Sequence, residues 1–309
     1  MTILDILMDT LLLDMQELKK FASTSPYRYK VYQIPKRNSK KKRTIAHPSK
    51  ELKFIQRALN GILSNILPVH EAVFSYKKEV SIKDNAQKHL KSQYLLKMDF
   101  KNFFPSITPE IFFDQLDKNN ISYSVEDREI ISRLLFWKPS RYKEYLSLSI
   151  GAPSSPLISN FIMYSFDKKI NDYCNNINVT YTRYADDITF TTNVRNILFD
   201  IPNEIKKILL EEFSGKIIIN NKKTIFSSKA NNRHVTGIRL TNDNKLSIGR
   251  NKKRVLSSKV HHYSLGKIND DEAKKLQGEL AFTFYIEPEF ESKLIKKYGL
   301  ETLLKLNKI

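Results

Sequence analysis

Two β-rich runs, residues 179–184 and 188–192, leave only Ala185, Asp186 and Asp187 between them. Valine, threonine, isoleucine, tyrosine and phenylalanine dominate both flanks, and these residue types favour extended chain. So short a connection closes as a tight hairpin, which presents the two carboxylates at its tip. Adjacent carboxylates there repel each other, and bound cations relieve that repulsion. An isolated Asp-Asp pair is also a common polar turn, so its meaning depends on a partner elsewhere. Asp99 is that partner. It closes an apolar run at 94–100 that reads as a third strand. Beside the hairpin in one sheet, it completes a cluster of three carboxylates.

Phosphoryl transfer to a hydroxyl needs an activated attacking oxygen and a neutralised leaving pyrophosphate. Two divalent ions roughly 3.5–4 Å apart can do both, and hard ions such as magnesium take carboxylate oxygens. The chain also carries 52 Lys and Arg against 33 Asp and Glu, a net charge of +19. A fold does not need that excess, but a polyanionic partner is attracted by it. Nucleic acid leads, ahead of a ribosomal or membrane-surface role. No apolar stretch approaches the roughly 20 residues of a spanning helix. The first five residues are not basic, which argues against a secretory signal. Cys174 stands alone, so neither an intramolecular disulfide nor a cysteine zinc site forms within the chain. The expected setting is the cytosol, with no membrane.

Apolar spacing predicts helices over 3–21, 52–67, 84–90, 108–116, 124–137 and 202–213. A Pro-punctuated segment turns helical within 152–172, and a basic helical region begins at 254. Strand patterns cover 27–34, 94–100, 179–184, 188–192, 216–220, 225–227 and 234–239, with a basic loop at 36–43. Strands alternating with helices in the middle, between helical ends, fit an α+β domain with additions at both termini.

Four segments occur in a telling order. Met98-Asp99-Phe100-Lys101-Asn102-Phe103-Phe104 is followed by Gly151-Ala152-Pro153-Ser154-Ser155-Pro156, then Tyr184-Ala185-Asp186-Asp187, then Ile219-Asn220-Asn221-Lys222-Lys223-Thr224. They resemble, in turn, the first catalytic-aspartate motif, the template- and nucleotide-positioning motif, the Tyr-x-Asp-Asp box and the lysine-bearing motif of the reverse transcriptase family. Asn85-Ala86-Gln87-Lys88-His89 resembles the Asn-Ala-x-x-His signature of bacterial retron reverse transcriptases. Val235-Thr236-Gly237 resembles their Val-Thr-Gly triplet. The resemblance runs over roughly residues 25–300. One departure is Leu148-Ser149-Ile150-Gly151, where the family often has Leu-Pro-Gln-Gly. Ile150 cannot hydrogen-bond as glutamine does.

The resemblance implies a right-hand polymerase: an N-terminal helix and fingers in 1–93, and a palm with an antiparallel sheet in 94–243, whose insertion at about 105–150 contributes to the fingers. A helical, RNA-binding thumb follows in 244–309. It implies that Asp99, Asp186 and Asp187 hold two Mg2+ ions, or Mn2+ in their place, with the Phe100 carbonyl. Phe104 becomes the sugar-discriminating aromatic, and Ala152 joins the nucleotide pocket. Lys223 protonates the leaving pyrophosphate, with Lys222 as competitor. Arg43 grips the triphosphate, with Arg37 and Lys42 as alternatives.

Asn85, Ala86, His89, Val235, Thr236 and Gly237 mark recognition of a cognate RNA. Arg250, Lys252, Lys253 and Arg254, with His261, His262 and Tyr263 beyond them, suit backbone tracking and base stacking. The implied enzyme is an RNA-directed DNA polymerase that uses dNTPs. It copies part of a structured non-coding RNA from its own locus into a short single-stranded DNA, starting at a guanosine 2′-hydroxyl. The expected partners are that RNA, the DNA product and an effector protein used in antiphage defence. A ribonuclease H module does not fit within 309 residues, so host ribonuclease H is expected to remove template. The alternatives are a group-II-intron-like or untemplated abortive-infection polymerase, and a catalytically idle RNA-binding scaffold.

Overall fold

A computed structural model describes residues 2–36, 41–140, 142 and 145–307. Two helices, α1 (Ile3–Leu11) and α2 (Met15–Thr24), stand where apolar spacing predicts one. The break has a local cause. Asp14 accepts from the Glu17 amide at 2.8 Å and the Glu17 carboxylate accepts from the Asp14 amide at 3.0 Å, a capping box that starts a new helix. Strands β1 (Tyr29–Pro35) and β2 (Lys42–Pro48) then form an antiparallel hairpin. The expected basic loop is therefore partly strand, since Lys42 and Arg43 lie in β2. Residues 37–40 lie outside the described residues. Helices α3 (Lys50–Leu63) and α4 (Ile82–Lys88) follow.

The centre of the fold runs β3 (Tyr94–Asp99), α5 (Phe103–Ser106), α6 (Pro109–Lys118), α7 (Val125–Leu135), α8 (Ser155–Ile162) and α9 (Tyr164–Asn176). It continues through β4 (Thr180–Tyr184), β5 (Asp187–Thr192), α10 (Ile201–Phe213) and β6 (Ile225–Ser228). The four strands form one sheet in the order β4-β5-β3-β6, with antiparallel neighbours. This is a split β-α-β arrangement. The run at 216–220 does not form the expected strand. Asn102, with φ of 50°, turns the chain away just after β3. The run therefore pairs only briefly beyond Asp99, through the Phe100–Ile219 bridge and an Asn220 amide that donates to the Asp99 carbonyl at 2.7 Å.

Alternation along the strands separates the two faces of this sheet. Leu96, Met98, Ile188 and Phe190 enter the large core, which α1–α3 and α5–α10 share. The opposite face presents Leu95, Lys97 and Asp99 on β3 and Asp187, Thr189 and Thr191 on β5. Against it pack α4 and a second sheet of β7 (Arg233–Val235), β8 (Ile238–Leu240) and β9 (Leu246–Ser247). Ala86, Leu95, Val235, Ile238 and Ile286 bury one another there. The pattern read as one run at 234–239 is a hairpin. Thr236 and Gly237 are its two-residue turn, both at positive φ (47° and 83°). Helices α11 (Arg250–Ser264), α12 (Asp270–Ile286), α13 (Glu289–Tyr298) and α14 (Leu300–Asn307) close the chain around a core of their own. The boundary expected at 243 falls in the turn between β8 and β9. Among the described residues no helix is long and apolar enough to cross a membrane.

Candidate active site

Tyr184 pairs with Asp187, so Ala185 and Asp186 form a two-residue turn. Asp99 lies directly opposite Asp187 in the β3–β5 ladder, and the Phe100 amide donates to the Asp186 carbonyl at 3.1 Å. The fold thus brings the three predicted carboxylates together from two distant parts of the chain. The Phe100 ring is buried against Phe103 and Phe166, so its backbone alone faces the site.

The electrostatics are those of a crowded anionic site. Burial raises the Asp186 carboxyl above its ordinary range, and Asp99 and Asp187 push it further. Burial also raises Asp187, with Asp99 adding to the rise and Lys97 and Lys223 opposing it. The Lys223 ammonium donates to Asp99 Oδ2 at 2.6 Å, and the Asn220 amide group approaches Asp99 Oδ1 at 3.3 Å. Burial works to lower the Lys223 pKa, but the bond to Asp99 and the charges of Asp186 and Asp187 win and raise it. Among the described residues, no three His, Cys, Asp or Glu side chains already surround one cation position. The donor set still fits divalent cations: three hard carboxylates on neighbouring strands, two of them held at raised pKa by burial and mutual repulsion.

A buried network holds the turn. Ala185 has φ of 54°, a left-handed conformation disfavoured by roughly 1–2 kcal/mol. Its amide donates to Ser75 Oγ at 2.8 Å, and its carbonyl accepts from Arg183 Nη1 at 3.1 Å. Arg183 is fully buried and grips both carboxylate oxygens of Asp167 on α9, Nε donating to Oδ1 at 2.8 Å and to Oδ2 at 3.1 Å, and Nη2 to Oδ2 at 2.7 Å. Tyr181 donates to the same carboxylate at 2.7 Å. Asn160 on α8 donates to the Ser75 carbonyl at 2.9 Å, closing the ring of contacts. Sequence reasoning missed Ser75, Arg183 and Asp167. Their partners lie on separate elements, and no local pattern announces them.

A cleft of about 320 Å³ includes Tyr76, the residue after the Ser75 that holds the aspartate turn, though the three aspartates themselves do not line it. Phe104, Ala152, Ile150 and Tyr76 line it, with Lys53 and Arg57 at its cationic side. Phe104 and Ala152 therefore line one cavity. Gly151 has φ of 127°, and a Cβ there would meet the Ala46 carbonyl oxygen at 3.1 Å. The Ile150 carbonyl accepts from the Ala46 amide at 3.0 Å, so backbone anchors this loop to β2 where the family's glutamine is missing. Arg43 is exposed on β2. Burial, then Asp186 and Tyr184, raise the Tyr76 hydroxyl, and the Arg43 charge acts in the opposite sense. Lys42 neighbours Arg43 on the strand, whereas Arg37 lies outside the described residues.

The six signature residues assemble against the same face of the sheet as Asp99 and Asp187, toward its other end. Burial pushes the His89 imidazole down to about 3, so the ring is neutral, with one donor and one acceptor nitrogen. Thr182 Oγ donates to Asn85 Oδ1 at 2.7 Å, so it accepts from His89 Nε2, also at 2.7 Å. Nδ1 then accepts from Thr191 Oγ at 2.8 Å. Thr182 lies on β4 and Thr191 on β5, so His89 bridges the two strands that carry the aspartate turn. Ala86 packs with Val235, and Thr236 Oγ donates to the Ile82 carbonyl at 3.3 Å. Asn85, Ala86, His89 and Val235 are turned inward, away from any surface an RNA could reach. Gly237 is exposed.

Arg250, Lys252, Lys253 and Arg254 occupy the start of α11. Lys252 lies 4.9 Å above the Phe282 ring, and Lys253 bonds Glu287 at 2.6 Å. Arg250 and Lys253 also line a second cleft, of about 550 Å³, with Arg239 and Lys229.

Residues 34–240 match the family described as reverse transcriptase (RNA-dependent DNA polymerase). The chain is 44% identical over 281 residues to the retron Ec83 reverse transcriptase of Escherichia coli, covering 91% of this chain and 90% of that protein. It is 35% identical over 301 residues to the retron Ec73 reverse transcriptase of the same organism, covering 93% and 94%. Among solved structures, telomerase from Candida albicans with a fragment of telomeric RNA is similar at a TM-score of 0.49 and 12% identity, over 91% of this chain and 61% of that chain.

Proposed function

This chain belongs to the reverse transcriptase family as a retron reverse transcriptase, an RNA-directed DNA polymerase of right-hand fold, and from that premise we propose how its own residues serve the reaction. The observation that carries the proposal is Asp99 facing Asp187 across two strands, with Asp186 in the adjoining turn, together with a cavity lined by Phe104 and Ala152. The palm is the four-stranded sheet within 94–243. The fingers are 1–93 with the insertion at about 105–150, and the thumb is 244–309.

Asp99, Asp186, Asp187 and the Phe100 carbonyl would hold two magnesium ions, or manganese ions. When bound, these supply activation of the attacking hydroxyl and charge neutralisation of the pyrophosphate. Lys223, with its raised pKa beside Asp99, holds a proton close to the reacting phosphates. Arg43 reaches the triphosphate from the fingers hairpin. Phe104 limits space at the sugar, and the Ala152 backbone positions the nucleotide. Arg250, Lys252, Lys253 and Arg254, with the exposed Gly237 tip, meet RNA backbone from the thumb side.

The template is a structured non-coding RNA of the same locus, and the dNTP-built product is a short DNA joined to that RNA through a guanosine 2′-hydroxyl. Host ribonuclease H trims the template in the bacterial cytoplasm, and an effector protein of the locus links the complex to antiphage defence. The identity to retron reverse transcriptases supports this finer reading.

The test is to express the chain with its native flanking sequence, purify it and sequence the nucleic acid that comes with it. A short DNA with a 2′–5′ branch to RNA is expected. Replacing Asp186 and Asp187 by Ala should remove the DNA and leave the RNA. A linear DNA without a branch would overturn the priming mechanism in favour of a group-II-intron-like or untemplated polymerase. Unchanged phage protection by the double variant would instead favour a scaffold.

A further inference from the structure

The segment before α4 carries no recognised motif, yet it is stitched to the aspartate hairpin. Val73 bridges Arg183 in parallel register, and the Phe74 amide donates to the Arg183 carbonyl at 2.8 Å. Ser75 Oγ takes the Ala185 amide at 2.8 Å, and its carbonyl takes Asn160 at 2.9 Å. The next residue, Tyr76, therefore has its place set relative to Asp186 by the same bonds that hold the turn.

Tyr76 has φ of 58°, a backbone conformation that a bulky L-residue rarely adopts. Such strain persists only where surroundings over-determine it, and it concentrates at functional sites. The residue is 55% exposed and belongs to none of the three buried cores. Folding alone thus gives no reason for an aromatic ring here. The ring does line the 320 Å³ cleft, with Phe104 and Ala152. That volume lies in the range of small-molecule sites, roughly 300–1,000 Å³, which characteristically combine aromatic walls with a few placed polar groups.

We infer that Tyr76 is a specificity-determining residue: its ring and that of Phe104 are two walls of the seat for the base and sugar of the incoming deoxynucleoside triphosphate. This rests on reading the cleft as the nucleotide site. A flat base gains from an aromatic wall without regard to its identity, so Tyr76 contributes affinity for all four nucleotides. A rigid wall also penalises mispaired geometry, because a wider or tilted pair would press on a ring whose backbone cannot shift without breaking the Ser75 contacts.

The experiment is single-nucleotide insertion on an RNA template with a DNA primer, for wild type, Tyr76→Phe, Tyr76→Ala and Tyr76→Gly, with thermal unfolding in parallel. Ala and Gly should each raise KM for the matched dNTP by roughly tenfold, within the range that a lost base-stacking contact accounts for. They should also increase misinsertion relative to correct insertion, with kcat changed far less, while Tyr76→Phe restores KM close to wild type. Glycine is the decisive variant, because it relieves the left-handed strain while removing the ring. If Tyr76→Gly matches wild type, the residue is only a backbone element and the inference fails. A fall in kcat with KM unchanged also overturns it, since the ring would then act on the turn rather than the nucleotide. A wild-type protein unable to extend the duplex would overturn the polymerase reading itself, and this assignment with it.

Discussion

One face of the central sheet carries two polar clusters, built on the same strands and opposite in character. Toward the hairpin tip, Asp99, Asp186 and Asp187 crowd negative charge, and Lys223 bonds only one of the three. Toward the other end, Asn85, His89, Thr182 and Thr191 form a neutral chain in which each hydrogen bond has a determined direction. The neutral cluster fixes geometry and leaves little to bind. The anionic cluster is held in place by other residues and leaves capacity for cations. A satisfied network specifies a position, whereas a frustrated one specifies a ligand.

The anionic end is broken most severely by removing one charge. Asp186→Asn should reduce primer extension by about 10²–10³-fold or more, because transition-state charge loses its stabilisation. Stability should not fall with it. The folded pKa of Asp186 is raised, so its ionised form opposes folding at neutral pH, and the amide removes that opposition. Millimolar magnesium should raise the melting temperature of wild type by binding the folded form, and much less that of Asp186→Asn/Asp187→Asn. Equal stabilisation of both proteins would mean that the cations bind elsewhere.

A second break targets what holds the turn from the large-core side. Arg183→Met leaves Asp167 buried without its partner, and removing one member of such a pair typically costs about 3–5 kcal/mol. Denaturant unfolding measures this directly. Adding Asp167→Leu should recover most of the stability, since a well-packed apolar pair can replace a buried ion pair. It should not recover activity, because the bond from Arg183 to the Ala185 carbonyl stays lost. Full activity in the double variant would show that the Ser75 contact suffices to hold the turn.

The assembly of the three aspartates was legible in the sequence because hairpins and strand ends are local. The 179–192 pattern contains both strands and the turn, and an aspartate closing a third strand needed only sheet adjacency to join it. The start of α2 has a local signal, the Asp14–Glu17 capping box, but apolar spacing that runs on through 3–21 hides it. Arg183 and Asp167 were not legible. A charged residue inside a strand gives no sign of a partner on a preceding helix, and alternation alone predicts an apolar residue at that position. The signature residues pointed to the retron relatives that the chain matches, but their inward orientation was not legible, for a related reason. A motif identifies a family without saying whether its side chains face inward, and Asn85 on α4 and His89, which caps that helix four residues on, both point to the sheet.

The neutral end is tested by acid. His89 is neutral in the fold, with a pKa pushed down to about 3, against about 6.5 in the unfolded chain. Its contribution is therefore fully present above pH ~6.5 and is lost as pH falls toward 3, at up to about 1.4 kcal/mol per unit. Asp186 and Asp187 run in the opposite sense, so the useful quantity is the difference between wild type and His89→Gln. That difference should shrink steadily between pH 6.5 and 5 in urea unfolding. A difference independent of pH would mean that the folded imidazole titrates near its ordinary value.

The smallest effect is expected at the tip of the β7–β8 hairpin, which Thr236 ties to the start of α4. Gly237 sits at φ 83°, and a Cβ built there meets no atom within 4 Å. Gly237→Ala therefore introduces left-handed strain without a clash, about 1 kcal/mol of stability in the protein alone. Thr236 beside it already tolerates φ of 47°, so the hairpin has the rigidity to hold an alanine in place rather than rearrange. Because Val235 and Ile238 on either side are buried with Ala86, the strain should remain at the tip and leave the His89 chain intact. The pH difference between wild type and His89→Gln should therefore be the same with or without Gly237→Ala. If the two substitutions instead proved non-additive, the tip and the neutral cluster would be one cooperative unit, and the surface turn would report directly on the strands that carry the aspartates.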